Sequence, residues 1–221
     1  MKKSTKIILA VAATLFIAAI VFCTKHYYHF AVANFVSHDQ ESHGYHIQEG
    51  MPTDSILAEM LGDYDMLSEL AWCMQCRYLK FTQAKPGYYR FANKIANREL
   101  IRRLQLGEET PIRLSFTQSI RTREQLAGHM GRKLQLDSAE VIQRLTDSEY
   151  LEHFGLTPET AVCLFIPNTY EVYWTMSADQ LFARMYKEYQ RFWNEERLAK
   201  AARLGLTPVE VATLASIIAS E

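Results

Sequence analysis

The run Pro86-Gly-Tyr-Tyr-Arg-Phe91, followed shortly by Asn97-Arg-Glu-Leu-Ile-Arg-Arg-Leu-Gln-Leu-Gly107, decides the class of fold this chain adopts. Pro-Gly is a turn signal, and the aromatic residues after it suit a pleated strand. Asn97 is a good helix cap, Leu100, Ile101 and Leu104 recur at helical spacing, and Gly107 provides a stop. Tyr88 and Tyr89 are expected to split, one buried and one exposed, and Arg102 and Arg103 to form a solvated face.

The same alternation of short strands and capped helices extends on both sides. Towards the N-terminus a short strand is expected near Tyr45–Ile47 and a helix over Thr53–Leu61. Gly62-Asp-Tyr-Asp65 breaks that helix, and a second covers about Ser68–Leu79. Towards the C-terminus, Ile112, Leu114 and Phe116 alternate with Arg113 and Ser115, which is a half-buried strand. Thr122 with Gln125, and Asp137 with Glu140, mark helix starts. Leu164-Phe-Ile166 is expected as a short buried strand ended by Pro167. Ser177 with Gln180 opens a long helix to about Arg203, with Leu181, Met185, Tyr189 and Phe192 on its core face. Many helices, few strands, no repeats and no Gly-rich phosphate loop give an α+β fold.

The first residues set the compartment. Lys2, Lys3 and Lys6 precede an uncharged apolar run from Ile7 to Cys23, at the short end for a membrane span. That charge bias favours a cytoplasmic N-terminus. An uncleaved signal anchor is expected over a cleaved signal peptide, whose cleavage site would be Ala31-Val-Ala33. A net charge of −1 gives nucleic acid no reason to bind. His26, His29, His38, His43 and His46 lack ligand spacing and are expected on the surface of a tether, not in a metal site. Cys73 and Cys76 form C-x-x-C in the middle of a helix, where core cysteines one turn apart are expected over a redox or zinc site.

The chain closes on Leu206-Thr-Pro-Val-Glu-Val-Ala-Thr-Leu-Ala-Ser-Ile-Ile-Ala-Ser-Glu221. Thr207, Pro208 and Glu210 make a strong helix start. Val211, Leu214, Ile217 and Ile218 form an apolar stripe that Glu221 extends. A carboxyl held on such a stripe has a raised pKa, as a general acid near neutral pH requires. If the stripe has already ended, Glu221 is instead a solvated terminal residue.

Three stretches together resemble the endolytic murein transglycosylases, the MltG or YceG-like family. Lys85–Phe91 with Asn97–Gly107 resembles that family's P-G-x-Y strand, helix and closing glycine. Leu164-Phe-Ile-Pro-Asn-Thr-Tyr-Glu-Val-Tyr-Trp174 resembles its F-x-P-D-T-Y element, and Thr213–Glu221 resembles its L-A-S-I-x-E-x-E catalytic helix. The sequence departs from the pattern at Ala219, at Asn168 (Asp in the family) and at Gln118-Ser119 (Glu-Gly). It also lacks the family's later stretches, so a truncated form is expected.

The resemblance implies a transmembrane anchor (1–25, spanning through residues 7–23), a tether (26–44), a LysM-like α+β subdomain (45–107) and the first part of a helix-rich α+β catalytic domain (108–221). It implies a lytic transglycosylase that cuts MurNAc–GlcNAc bonds within nascent peptidoglycan strands. The products carry 1,6-anhydro-MurNAc ends, and elongation stops. Glu221 would be its acid/base. Asn168 and Thr169 would orient that carboxyl or cap a turn; Tyr170 and Tyr173, with Trp174, would stack on sugars or pack in the core. No cofactor or metal is expected. The implied partners are glycan strands, the membrane and peptidoglycan synthases. The implied location is the inner membrane, single-pass, with the bulk of the chain on the periplasmic or extracellular side. The alternative is a non-catalytic anchored module that binds glycan or synthases.

Overall fold

A computed structural model of the 221-residue chain describes residues 3–31, 33–117 and 120–218. Glu221, and with it the proposed catalytic carboxyl, lies outside the described residues, as do Gln118, Ser119 and Ala219. The fold is mixed α and β, and the chain divides into two compact units, Met1–Thr110 and Pro111–Glu221.

The first unit opens with helix α1, Lys3–Ala31. Among the described residues no single helix is long and apolar enough to cross a membrane, the apolar helical stretch being Val11–Lys25. Strands β1 (Phe35–Ser37), β3 (Tyr64–Met66) and β5 (Lys94–Ile95) form an antiparallel sheet in the order β3-β1-β5. Strands β2 (His43–Ile47) and β4 (Gly87–Phe91) form an antiparallel pair in which Tyr45 opposes Tyr89. Helices α2 (Thr53–Met60), α3 (Glu69–Tyr78) and α4 (Asn97–Leu106) complete the unit. Phe35, Tyr64, Trp72, Tyr89, Phe91, Leu100, Ile101 and Leu104 make its core.

Several expectations are corrected in this unit. Residues 26–44 are not a tether throughout: Phe35 is wholly buried and β1 is the central strand of its sheet. Asn34 explains why the chain is held there. Its side chain accepts from Ser68 N at 2.8 Å and donates to Ser68 O at 2.9 Å and to Asn97 Oδ1 at 3.0 Å. Asn97 is therefore not the cap of α4; Ala96 occupies that position, and the Asn97 amide is buried against Asn34. Gly107 does end α4, at φ 74°. Tyr89 is buried and Tyr88 half-buried. Arg103 is tied down, donating to Arg90 O and Thr110 Oγ1 at 2.9 Å each and lying over the Phe91 ring. Of the two helical cysteines, Cys73 is exposed and Cys76 half-buried, so they are not a core pair. His43 is half-buried and not a surface residue, with Nε2 2.9 Å from Asp39 Oδ1 and its ring edge-on to Tyr64.

The second unit is built on the antiparallel pair β6 (Ile112–Phe116) and β7 (Asn168–Val172). Helices α5 (Arg123–Lys133), α6 (Ser138–Thr146) and α7 (Ser148–Glu152) follow β6, and α8 (Ala178–Phe192), α9 (Glu195–Arg203) and α10 (Pro208–Ile218) follow β7. The helix starts read from sequence are present as side-chain caps: Thr122 and Gln125 form a reciprocal box, as do Ser177 and Gln180, and Asp137 caps α6. Leu114, Phe116, Leu126, Met130, Val141, Leu164, Phe165, Leu181, Phe182 and Met185 form the core, with Phe165 edge-on to both Phe116 and Phe182.

Two further expectations fail here. Leu164-Phe-Ile166 is not a strand. A 3-10 helix runs over Ala161–Leu164, and the strand begins only after Pro167, which has no N–H to offer a ladder. The long helix to Arg203 is broken. Trp193 ends α8, and Asn194 caps α9 by accepting from Arg197 N at 3.0 Å.

Candidate active site

Strand β7 carries the residues singled out after Pro167, and its alternation divides them. Asn168 and Tyr170 lie on the face towards α8, whereas Thr169 pairs with Ser115 across the sheet. The Thr169 and Ser115 hydroxyls are 2.8 Å apart. Tyr170 is only 6% exposed and donates to Ile166 O at 2.8 Å. Burial raises its phenol above the ordinary range, the Glu188 carboxylate adds to this, and Arg184 opposes it. Its ring face is therefore packed and not free for stacking, although one edge lines a recess. Tyr173, just beyond the strand, is 50% exposed and has such a face. Asn168 is exposed, and its Oδ1 accepts from Thr169 N at 2.8 Å. That bond fixes the amide so that Nδ2 remains a donor.

Helix α10 begins as its sequence dictates. Glu210 Oε2 accepts from Thr207 N at 2.8 Å, and Glu210 N donates to Thr207 Oγ1 at 3.3 Å. Hydrogen bonds from the Thr207 backbone and then its hydroxyl hold Glu210 below the usual carboxylate range, so this carboxylate is committed to the cap. Val209 packs on the core, and α10 lies against the 3-10 helix that leads into Phe165–Asn168. Beyond that contact the helix is open. No residue of α10 is buried, and Leu214, Ile217 and Ile218 are 46%, 54% and 74% exposed. The apolar stripe exists, half-buried at Val211 and largely uncovered by the described chain from Leu214 onward.

Two groups near β7 were not visible in the sequence. His129, on α5, hydrogen-bonds to the Ser115 backbone, and its Nε2 is buried with no partner among the described residues. Burial, assisted by Arg132 and Lys133, pulls its imidazole below the ordinary value. The second group is the pair Arg191 and Arg197. With Asn168, Tyr170 and Glu188 they line an open recess of about 210 Å³. Reading α8 and α9 as one helix concealed it; the signal was Asn194, a cap residue in mid-helix.

The sequence matches the YceG-like family over residues 45–221, so the chain belongs to that family. A yceG-like protein of Listeria monocytogenes, whose crystal structure is known at 2.6 Å, is similar with 19% identity and a TM-score of 0.43. The match covers 76% of this chain and 60% of that one. No curated protein is significantly similar to the chain.

Proposed function

We propose that this protein is a membrane-anchored lytic transglycosylase that cleaves glycan strands of peptidoglycan internally. The observation that carries the reading is family membership across residues 45–221, a match that runs through α10 to the end of the chain. The chemistry asks little of the protein. An ordinary glycosidase needs two carboxyls flanking the bond. A transglycosylase manages with one, because the sugar's own 6-hydroxyl is the nucleophile. Glu221 protonates the leaving glycosidic oxygen, and the resulting carboxylate then takes the proton from the attacking hydroxyl. Glu210 is bound into its cap and leaves that role to Glu221. The Ile7–Cys23 segment anchors the protein in the inner membrane, single-pass, with residues 26–221 outside the cytoplasm, where nascent strands and their synthases are. The test is muropeptide analysis after incubating the detergent-solubilised protein with purified glycan strands. Anhydro-MurNAc ends are expected, and Glu221→Gln abolishes them; products that persist in the variant refute the assignment.

A recess of about 470 Å³ in the first unit supports a second reading, a glycan-binding module without catalysis. It is lined by His46, Gln48, Glu49, Met51, Ser55 and Glu59. On this reading the protein retains glycans and yields no anhydro ends, and Ser55→Arg and Glu59→Arg abolish retention.

A further inference from the structure

We propose that the recess between β7 and the α8–α9 break is a carboxylate-binding subsite, through which the protein selects glycan carrying acidic substituents. This rests on the transglycosylase reading for its substrate and not for its chemistry. Arg197 is held ready. Its guanidinium lies 4.2 Å from the Phe192 ring centroid, and Nη1 donates to Phe192 O at 2.7 Å. Nε and Nη2 remain unspent, and among the described residues no carboxylate lies within ion-pair distance. Arg191 stands beside it. Among the described residues the one acid lining the recess is Glu188, 16% exposed, which is shared between Arg184 at 3.1 Å and Arg191 at 3.2 Å. Two arginines against one shared glutamate leave the recess net positive. Asn168 adds the free Nδ2 donor, and Ile166 and Phe192 supply an apolar wall.

That set is a donor fork, a second cation and a neutral amide on a partly dry wall. It suits a planar anion such as a carboxylate, which Arg binds through two parallel hydrogen bonds. Among the described residues the recess has no comparable set of acceptors for a neutral sugar's hydroxyls. On a peptidoglycan strand, carboxylates occur on the stem peptide or, where the peptide has been removed, on the bare lactyl group of MurNAc.

Binding of four probes to the full-length protein by titration calorimetry separates the possibilities. They are GlcNAc–MurNAc-tetrapeptide, the same compound with its peptide carboxylates amidated, peptide-free GlcNAc–MurNAc, and chitotetraose. The tetrapeptide probe is expected to bind at least about tenfold tighter than chitotetraose, the loss of one charge-assisted contact. Arg197→Ala removes that advantage, Asn168→Asp reduces it, and Glu188→Gln increases it. A merely structural role for Glu188 predicts no gain. Preference for the free acid over its amide names the peptide as the source; equal binding of the peptide-free disaccharide names the lactyl group. Equal affinity for all four probes, no binding of the tetrapeptide probe, or an unchanged preference in Arg197→Ala overturns the proposal. Because binding is read without turnover, absence of anhydro products sinks only the proposed activity.

Discussion

Replacing Asn34 by alanine tests whether the first folded unit begins ahead of Tyr45. The side chain is fully buried and makes three hydrogen bonds, two to Ser68 and one to Asn97. Ser68 O keeps a second donor, Trp72 N at 3.2 Å, so its loss is small. Ser68 N and Asn97 Oδ1 have no such reserve. Asn97 is itself wholly buried, and its Nδ2 is already without a partner, so the variant strands the whole amide. Two polar groups left without their partner, Asn97 Oδ1 wholly buried and Ser68 N half-buried, cost roughly 1–3 kcal/mol each, which puts the loss at about 2–6 kcal/mol. That is a large share of the stability of an ordinary domain. Urea unfolding followed by Trp72 fluorescence, with Trp174 and Trp193 replaced by Phe, reads this unit alone. The midpoint should fall by about 2 M for a slope near 2 kcal/mol/M. Adding Asn97→Ala should cost less than the sum of the two single changes, because each has already removed the bond between them. A loss under about 1 kcal/mol, or strict additivity, would refute the reasoning and return residues 26–44 to the role of a tether.

Gly107→Ala forces a side chain into φ 74° next to Lys85 and should lower the stability of the first unit by about 1 kcal/mol, read by the same unfolding assay. Burial, then the neighbouring Cys73, pushes the Cys76 thiol up to about 11, and burial raises Cys163 as well. Iodoacetamide at pH 8 should therefore label exposed Cys73 well before either, as followed by peptide mass mapping; equal rates contradict the burial pattern. Burial depresses His129 in the folded state, so the unfolded chain takes up that proton first. Stability of the second unit should be full above about pH 6.5, the unfolded value, and fall as the pH drops below it. His129→Gln should flatten the fall between pH 7.5 and 5.5 in thermal unfolding; an unchanged slope assigns it to other groups.

What the sequence disclosed was local. Caps such as Thr122 and Ser177 act through residues three positions away, so adjacent residues suffice to identify them. Gly107 and the β6 alternation are legible for the same reason. Long-range partners are what escaped. Asn97 had the right identity for a cap, but Asn34, far off in sequence, took its side chain. Arg103 lay on a charged face by periodicity, yet the Phe91 ring and the Thr110 hydroxyl captured it. The strand after Pro167 is short, and its apolar members Tyr170 and Val172 are separated by a charge, so the more apolar Leu164-Phe-Ile166 took precedence. For the candidate site, periodicity placed the apolar stripe on α10 correctly but not its surroundings. Whether a stripe is covered depends on what packs there, and Leu214 and Ile217 are largely uncovered.

The break between α8 and α9 joins local sequence to the chemistry proposed for β7. In an unbroken helix, residues 192 and 197 would stand roughly 140° apart around the axis, and the Arg197 side chain could not lie over Phe192. Asn194 changes that. By accepting from Arg197 N it makes the next helix start afresh, while buried Trp193 pins the end of the previous one. The new direction lays the Arg197 guanidinium across Phe192 and brings its Nη1 to the Phe192 carbonyl that the broken helix leaves open. One cation is thereby taken from a solvated helix face and fixed at the rim of a recess whose other wall is the start of β7. An arginine free to wander in solvent would give up side-chain entropy on each binding event, whereas this one has largely lost it on folding. The asparagine that a periodicity reading passes over is therefore the residue that preorganises the recess.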